Sequence, residues 1–255
     1  TSFTFKTYAA QPVTTALLTL KKDKAFEFLK AWQGYAPHAP DGLTALIYME
    51  GGPEGLKTLV LLGQYAGDAA AARRALGPLA STEFVEASDI TEGTVAQAAE
   101  KYGGPLDGPM AYPYFKSRSH YFRKPLDDES LHAVVAQMSE ARPGVAALII
   151  DPQQGAIGRV PRDKTAFAHR DALFSIQYRA NWGPGPAEGR DRSLERLQRV
   201  YDRLKPIAGN NSYVNYCDRD LAGWAESYYG PHLGRLRSLK ETMDPARVLI
   251  HAQSL

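Results

Sequence analysis

The chain has 255 residues, 44% of them hydrophobic, so it can bury a substantial core as one large domain or two small ones. Thirty basic residues against 28 acidic ones leave a net charge of +2, which is too weak to favour nucleic acid or an anionic membrane surface, so a small molecule is the expected partner. The single cysteine, Cys217, excludes an internal disulfide framework and a cysteine-based zinc site, which makes the cytoplasm the expected compartment.

The first residues, Thr1 to Lys6, alternate as a β-strand does. They include no initiator methionine and lack the basic-then-apolar layout of a signal peptide. The chain is therefore expected to begin inside a larger protein, and a natural terminus trimmed to its first ordered element is the alternative. No stretch approaches the roughly 18 apolar residues of a membrane span.

Strand signals recur along the chain as short apolar or alternating runs. Predicted strands cover residues 14–20, 43–49, 58–65, 84–90, 112–122, 146–151, 155–160 and 173–182. The second and third flank Glu50-Gly-Gly-Pro-Glu-Gly55, whose glycines and proline favour a reversal, so they are expected to form an antiparallel hairpin. The aromatic run at 112–122 is interpreted as a strand that crosses a pocket wall.

Helical patterns lie between these strands. Predicted helices cover residues 24–32, 68–79, 91–102, 129–142, 187–205 and 221–243. In the fifth helix the arginines Arg192, Arg196, Arg199 and Arg203 lie off the apolar side and are expected to form a solvated face. Strands in antiparallel pairs with interspersed helices indicate the α+β class, with one antiparallel sheet covered by helices.

Common catalytic and cofactor motifs are missing from the sequence. It contains neither a dinucleotide-binding GxGxxG before a helix nor a P-loop. The six histidines never pair at the spacing of metal ligands, so no metal is expected. Without a GxSxG elbow or a recognisable cysteine context, a serine or cysteine nucleophile has no support.

The segment Tyr213-Val-Asn-Tyr-Cys-Asp218 is the remaining candidate for chemistry. If it is a regular strand, Tyr213 and Asn215 face one way and Tyr216 the other. A tyrosine held near a cation or an electron-poor ring can have its pKa lowered enough to act as a base. The alternative is a tyrosine that packs in the core with its hydroxyl hydrogen-bonded.

The same segment opens a longer pattern. The motifs Tyr213-Val-Asn-Tyr-Cys-Asp-Arg-Asp220, Tyr228-Tyr-Gly230, Arg235-Leu236, Lys240, Asp244-Pro245 and Ala252-Gln-Ser-Leu255 together resemble the C-terminal module of berberine bridge enzyme-like oxidases. A second block, made of Gly158-Arg-Val160, Thr165 to Arg170, Gln177-Tyr178 and Trp182, resembles the segment that forms the pocket floor in that family. Thr1-Ser-Phe3 resembles the strand that leaves the family's flavin-binding domain.

This resemblance implies a division of the chain and a cofactor. Residues 1–210 would be the substrate-binding α+β domain, and residues 211–255 the berberine bridge enzyme-like module packed on it. The cofactor would be FAD, held mainly by an N-terminal domain that this chain does not contain, so a separate FAD-binding half is an expected partner.

The resemblance also implies roles for single residues. Tyr216 would abstract a substrate proton while a hydride passes to the flavin, and Gln177 would orient the base or the substrate. Asn215 and Tyr213 would contact the cofactor. The expected substrate-binding residues are Ser175, Tyr178, His169 and Tyr114, with a structural role preferred for His169. Ser175 departs from the family pattern, because relatives commonly carry an ionisable residue there, and a serine is neither a base nor a cation at neutral pH.

Three functions follow from these observations. The first is the substrate-binding part of an FAD-dependent oxidoreductase that acts on an alcohol, a sugar or a secondary metabolite. The second is a flavin-free descendant that works as a cyclase or isomerase in natural-product biosynthesis, which Ser175 suits slightly better. The third is a small-molecule binding protein with an aromatic pocket.

Overall fold

The computed structural model describes residues 2, 4–7, 9–103 and 113–255. Seven strands within these residues form one antiparallel sheet in the order β4-β1-β3-β2-β6-β7-β5. The strands are β1 (Val13–Leu20), β2 (Leu43–Gly52), β3 (Gly55–Ala66), β4 (Val85–Gly93), β5 (Tyr114–Phe122), β6 (Val145–Pro152) and β7 (Phe174–Trp182). The predicted α+β class and the 43–65 hairpin are thus confirmed.

The helices lie mainly on one side of this sheet. They are α1 (Ala25–Tyr35), α2 (Ala69–Leu76), α3 (Val95–Gly103), α4 (Asp128–Ser139), α5 (Ala156–Arg159), α6 (Ala187–Ala208), α7 (Trp224–Tyr229) and α8 (Leu233–Met243). The core forms where α1, α4 and α6 pack on the sheet, around Phe28, Trp32, Leu61 and Tyr178. Among the described residues, no helix combines the length and apolarity needed to cross a bilayer.

Side-chain alternation gives the sheet two different faces. Leu61 faces the helices and is fully buried, whereas its neighbour Leu62 points the other way and is half-buried. On β7, Ile176 and Tyr178 belong to the core, so Ser175, Gln177 and Arg179 lie on the side that α1, α4 and α6 leave uncovered. We call this side the open face.

Arg196 of α6 contradicts the prediction of a solvated arginine face. Its side chain is buried, and its guanidinium donates to the carbonyl oxygens of Gly52, Gln137, Met138, Glu140 and Arg142 at 2.8–3.3 Å. The last turn of a helix has carbonyls without intrahelical partners, and an arginine carries five N–H donors in a planar fork. Arg196 therefore joins the end of α4 to the β2–β3 hairpin, while Arg192 and Arg199 are exposed as predicted.

One predicted element near the middle of the chain was wrong, and the start of another was misplaced. The predicted strand 155–160 contains instead the short helix α5 (Ala156–Arg159), because Gly155 adopts φ +70° and turns the chain out of the sheet. The helix predicted from residue 91 begins at Val95, since Thr91 and Glu92 continue β4. Thr94 and Gln97 exchange hydrogen bonds of 3.2 and 2.8 Å that cap this helix, as in a capping box.

The predicted tail helix 221–243 is divided in two. Gly230 adopts φ +47° between α7 and α8, and Pro231 follows it, so the chain turns where an unbroken helix was expected. At the other end of the chain, the described residues 2 and 4–7 are not in a strand, although 1–6 alternate. Thr1, Phe3 and the predicted start of the aromatic strand at Tyr112 lie outside the described residues.

Candidate active site

The segment after α6 runs along β5, the last strand of the sheet. The backbone N–H of Tyr121 donates to Asn211 Oδ1 (2.6 Å), and Ser212 Oγ donates to the carbonyl of Ser119 (2.8 Å). The N–H of Tyr213 in turn donates to Ser119 Oγ (2.8 Å). These side-chain bonds fix the place where the Tyr213–Asp218 segment begins.

Residues 213–216 form a turn and not the predicted strand. The N–H of Tyr216 donates to the carbonyl of Tyr213 at 3.0 Å, and the rings of the two tyrosines contact each other edge to face, with centroids 5.1 Å apart. The predicted split, with Tyr213 and Tyr216 on opposite sides, was therefore wrong. The turn instead brings both phenol rings over the open face.

A buried carboxylate fixes the far end of the turn. Asp218 is 4% exposed and pairs with Lys116 Nζ (2.8 Å) and Arg118 Nε (3.0 Å) of β5. Its backbone N–H donates to the hydroxyl of Tyr228 in α7 (2.9 Å). The second Asp of the sequence pattern, Asp220, also pairs with Lys116. Both aspartates thus attach the turn to the sheet, a structural use of two acidic residues.

Two adjoining cavities lie beneath this turn on the open face. The first, of about 890 Å³, is lined by Phe115, Lys116, Ser117, Gln177, Asn215, Tyr216, Cys217, Arg219 and Asp220. The second, of about 410 Å³, is lined by Thr44, Tyr121, Asp151, Pro152, Gln153, Ile157, Phe167, Arg170, Ser175, Tyr213 and Tyr216. Tyr216 lines both cavities, so its phenol lies at the centre of the candidate site.

Burial raises the pKa of the Tyr216 phenol to about 12, and the nearby Asp151 carboxylate adds to this effect, while Arg179 opposes it. This is opposite to the lowered pKa that a tyrosine base requires. Tyr216 is therefore a protonated phenol at neutral pH, suited to donating a hydrogen bond.

The floor of the site comes from β7. Gln177 Nε2 donates to Ser117 Oγ (2.8 Å) on β5, which leaves the amide oxygen of Gln177 without a partner among the described residues and able to accept a bond from a ligand. Ser175 Oγ accepts a bond from Gln153 Nε2 (3.2 Å). The structure thus places both predicted residues at the cavities, Gln177 in the first and Ser175 in the second.

Asp151, at the end of β6, is the site residue that the sequence reading missed. It lies across from Ser175 in the β6–β7 register and lines the second cavity with Tyr216. Burial raises the pKa of its carboxyl group to about 6. The carboxylate has no hydrogen bond or ion pair with any other described residue, so it can take a proton from a ligand near neutral pH.

Aromatic rings and one amide form the wall. The ring of Tyr213 packs edge to face on Tyr121 and Phe167, each with centroids 6.2 Å apart. Asn215 Nδ2 donates to the Tyr213 hydroxyl (2.8 Å), and Asn215 itself is exposed at the mouth of the first cavity. The two residues predicted to contact a cofactor therefore lie side by side.

Three predicted substrate-binding residues lie away from both cavities. Tyr178 is fully buried on the helix side, where its hydroxyl is 3.2 Å from His120 Nδ1 and its ring contacts Tyr201 of α6. His169 is buried too, stacked on Tyr121 with Nε2 3.1 Å from the carbonyl of Ser212, and burial lowers its pKa to about 4. Tyr114 is 51% exposed at the start of β5. Tyr178 and His169 therefore serve packing, as was preferred for His169.

The chain is similar to known proteins in its tail and over its full length. Residues 212–255 match the berberine and berberine-like family. Over its full length the chain is 29% identical to the uncharacterized FAD-linked oxidoreductase YgaK of Bacillus subtilis, of which it covers 55%. It is 24% identical to berberine bridge enzyme-like 24 of Arabidopsis thaliana over 95% of the chain and 50% of that protein.

Solved structures show the same architecture. Berberine bridge enzyme from Eschscholzia californica superposes with a TM-score of 0.84 at 21% identity, over 95% of this chain and 55% of that one. Physcomitrella patens BBE-like 1 gives 0.79 at 25% identity, over 96% and 54%. The chain thus spans about half the length of the relatives it matches. By its tail motif and its whole-length similarity the chain is related to berberine bridge enzyme-like proteins and FAD-linked oxidoreductases, and it has the fold of the matching half of berberine bridge enzyme.

Proposed function

We propose that this chain supplies the substrate-binding part of an FAD-dependent oxidoreductase that oxidises a small alcohol, sugar or secondary metabolite. The observation that carries the proposal is the meeting of Tyr216, Asp151 and Gln177 around two adjoining cavities on the open face. Together they offer a protonated phenol, a carboxyl group that titrates near pH 6 and a free amide oxygen. These are the groups that remove a hydroxyl proton and hold the resulting oxygen in place.

The mouth of the first cavity fits a flavin ring, which leaves the cavity floor at Gln177 to the substrate. An isoalloxazine is flat and has an apolar edge and a polar edge, so it needs an aromatic wall beside hydrogen-bonding groups. The cavity supplies Phe115, half exposed, and Tyr216 as flat surfaces, and Asn215 as a polar group at its mouth. Asn215 and Tyr213 would hold the ring, and the bound flavin would accept the hydride from the substrate carbon.

The protein's own part in the reaction is to bind, orient and deprotonate. Asp151 takes the hydroxyl proton, since its carboxylate is unpaired among the described residues and close in pKa to the working pH. Tyr216 donates a hydrogen bond to the substrate oxygen, and Gln177 fixes the direction of the substrate. Tyr121, Phe167 and Tyr213 give the second cavity an aromatic wall on which the substrate packs.

Loading the protein with FAD and its flavin-binding half tests this proposal. Anaerobic mixing with a panel of alcohols and sugars should bleach the oxidised flavin absorbance for at least one compound. Tyr216→Phe should slow that bleaching by about 10²-fold or more, because the phenol hydrogen bond is lost from the transition state. Tyr114→Phe, outside both cavities, is the matched control and should bleach at the unaltered rate. Equal rates in both variants would contradict the proposal.

A flavin-free cyclase or isomerase is the second candidate. Asp151 favours it, because a carboxyl group of pKa about 6 beside a protonated phenol is an acid–base pair that needs no redox partner. Protein that stays colourless with FAD and its flavin-binding half, yet converts an unsaturated substrate with a dependence on Asp151, would support this function. A protein that only binds its ligand, with no turnover in either assay, would be a carrier.

A further inference from the structure

Arg179 of β7 is a cation that the chemistry above does not use. Its side chain is half-buried on the open face, two residues from Gln177 along the same strand. Its cross-strand partners are Ser117 on β5 and Ala147 on β6. Gln177, Ser117 and Phe115 all line the first cavity, so the guanidinium lies beside that cavity.

The charge of Arg179 is unpaired within the described part of the chain. Arg179 forms no hydrogen bond or ion pair with any described residue, and its Nε is buried without a partner. Its guanidinium lies over the ring of Phe115, whose centroid is 4.6 Å from the guanidinium carbon. A ring below the guanidinium plane attracts the cation weakly but cannot accept its five N–H bonds.

Glu50 and the two aspartates of the turn already pair with other cations. Glu50 lies on the same face two strands away, where it pairs with Lys57 (3.0 Å) and accepts a bond from Tyr48 (2.7 Å). Asp218 and Asp220 pair with Lys116 and Arg118. A half-buried guanidinium with no carboxylate in reach carries a desolvation cost that a bound anion would offset.

The distance between Gln177 and Arg179 along β7 indicates which group of a ligand can reach the arginine. Residues two apart on a strand are about 6.6 Å apart, so a molecule held at Gln177 reaches Arg179 with a substituent a few bonds from its reacting carbon. We infer that the substrate carries a carboxylate, bound by Arg179 through paired hydrogen bonds, with its oxidisable hydroxyl at Tyr216 and Gln177. This deepens the proposed function and rests on it for the identity of the reacting group.

Binding to matched probes tests the inference without requiring turnover. Calorimetric titration of the protein with FAD and its flavin-binding half would compare D-glucuronate with D-glucose, and 4-(hydroxymethyl)benzoate with 4-methylbenzyl alcohol. The acid of at least one pair should bind about 10- to 100-fold more tightly than its neutral partner. Arg179→Met should abolish this preference, and Arg179→Lys should retain part of it, since lysine keeps the charge and loses the fork.

Arg235→Met is the matched control, because Arg235 is exposed on α8, lines neither cavity and loses the same charge; the preference should survive there. Equal affinity for acid and alcohol in both pairs, or a preference that persists in a folded Arg179→Met protein, would overturn the inference. So would a loss of flavin absorbance in Arg179→Met with unaltered acid binding, since Arg179 would then contact the cofactor. Acid binding through Arg179 without any oxidation would instead contradict only the proposed function.

Discussion

Asp151 shows how burial can turn an ordinary residue into a candidate acid or base. In the sequence it only ends a predicted strand, and no motif marks it. In the fold it stands across from Ser175, and burial without a counter-charge raises the pKa of its carboxyl group to about 6. Ser175 itself cannot ionise, so the acid–base group of this site comes from the neighbouring strand.

Asp151→Asn should change the pH dependence of the proposed oxidation. If the ionised carboxylate is the base, kcat/KM of the unaltered enzyme rises with pH and levels off above about 6. The Asn variant should lose this limb and be slower by about 10²-fold at pH 8. Steady-state oxygen consumption from pH 4.5 to 9, with the substrate found by flavin bleaching, measures both effects.

Stability provides the control for that variant. A carboxyl group whose folded pKa is raised favours its protonated form in the fold, so its ionisation destabilises the protein as pH rises through about 6. Asp151→Asn should therefore be at least as stable as the unaltered protein at pH 8, by urea denaturation. A pH profile that keeps its limb near 6 in the variant would assign that limb to another group.

At the scale of elements, single side chains join parts that are distant in sequence. Arg196 brings together α4, α6 and the β2–β3 hairpin through five backbone carbonyls. Gly51 of that hairpin has no room for a side chain, because an added Cβ would meet the Arg196 guanidinium and the Met138 carbonyl. The arginine and the glycine are therefore two parts of one contact.

Arg196→Met should destabilise the protein by about 3 kcal/mol or more, because buried carbonyls lose their donors and the end of α4 loses its cap. Arg199→Met, on the exposed side of the same helix, should stay within about 0.5 kcal/mol of the parent. Urea denaturation of the two variants measures the difference. Similar losses in both would mean that the five bonds contribute little net stability.

Periodicity predicted most of the strands and helices, and failed where one residue redirected the chain. The alternating runs at 14–20 and 173–182 became β1 and β7 because packing supported the pattern. Gly155 turned a predicted strand into a helix and Gly230 divided a predicted helix, and their positive φ values are not visible in periodicity. Arg196 was assigned to solvent because a helical pattern does not reveal which carbonyls a neighbouring helix will present.

At the scale of the whole molecule, the two faces of the sheet have different roles. The helix-covered face holds the core, and the open face carries the cavities and half-buried apolar residues. Tyr216, Gln177 and Asn215 were predictable as a set because the family pattern groups them. Tyr178 was misplaced because it alternates with Gln177 and so points to the opposite face. Asp151 becomes part of the candidate site only through cross-strand register, which no local pattern gives.

Adjacent residues of β3 allow a direct test of this division. Leu61→Ala should cost about 2–5 kcal/mol, because it leaves a cavity in the fully buried core. Leu62→Ala, on the open face, should cost clearly less, because that side chain is only half-buried here. Denaturant titration of both variants checks this, and equal costs would show that the open face is as tightly packed as the core.

The hydrogen bonds between the 211–213 segment and β5 have one more consequence. β5 is the last strand of the sheet, and Asn211, Ser212 and Tyr213 occupy backbone and side-chain groups along its outer side. An uncovered strand of this kind is a template on which other chains can add and aggregate. The segment that leads into the Tyr216 turn thus also hinders aggregation through strand β5. Its loss would lower the solubility of the protein as well as remove part of the candidate site.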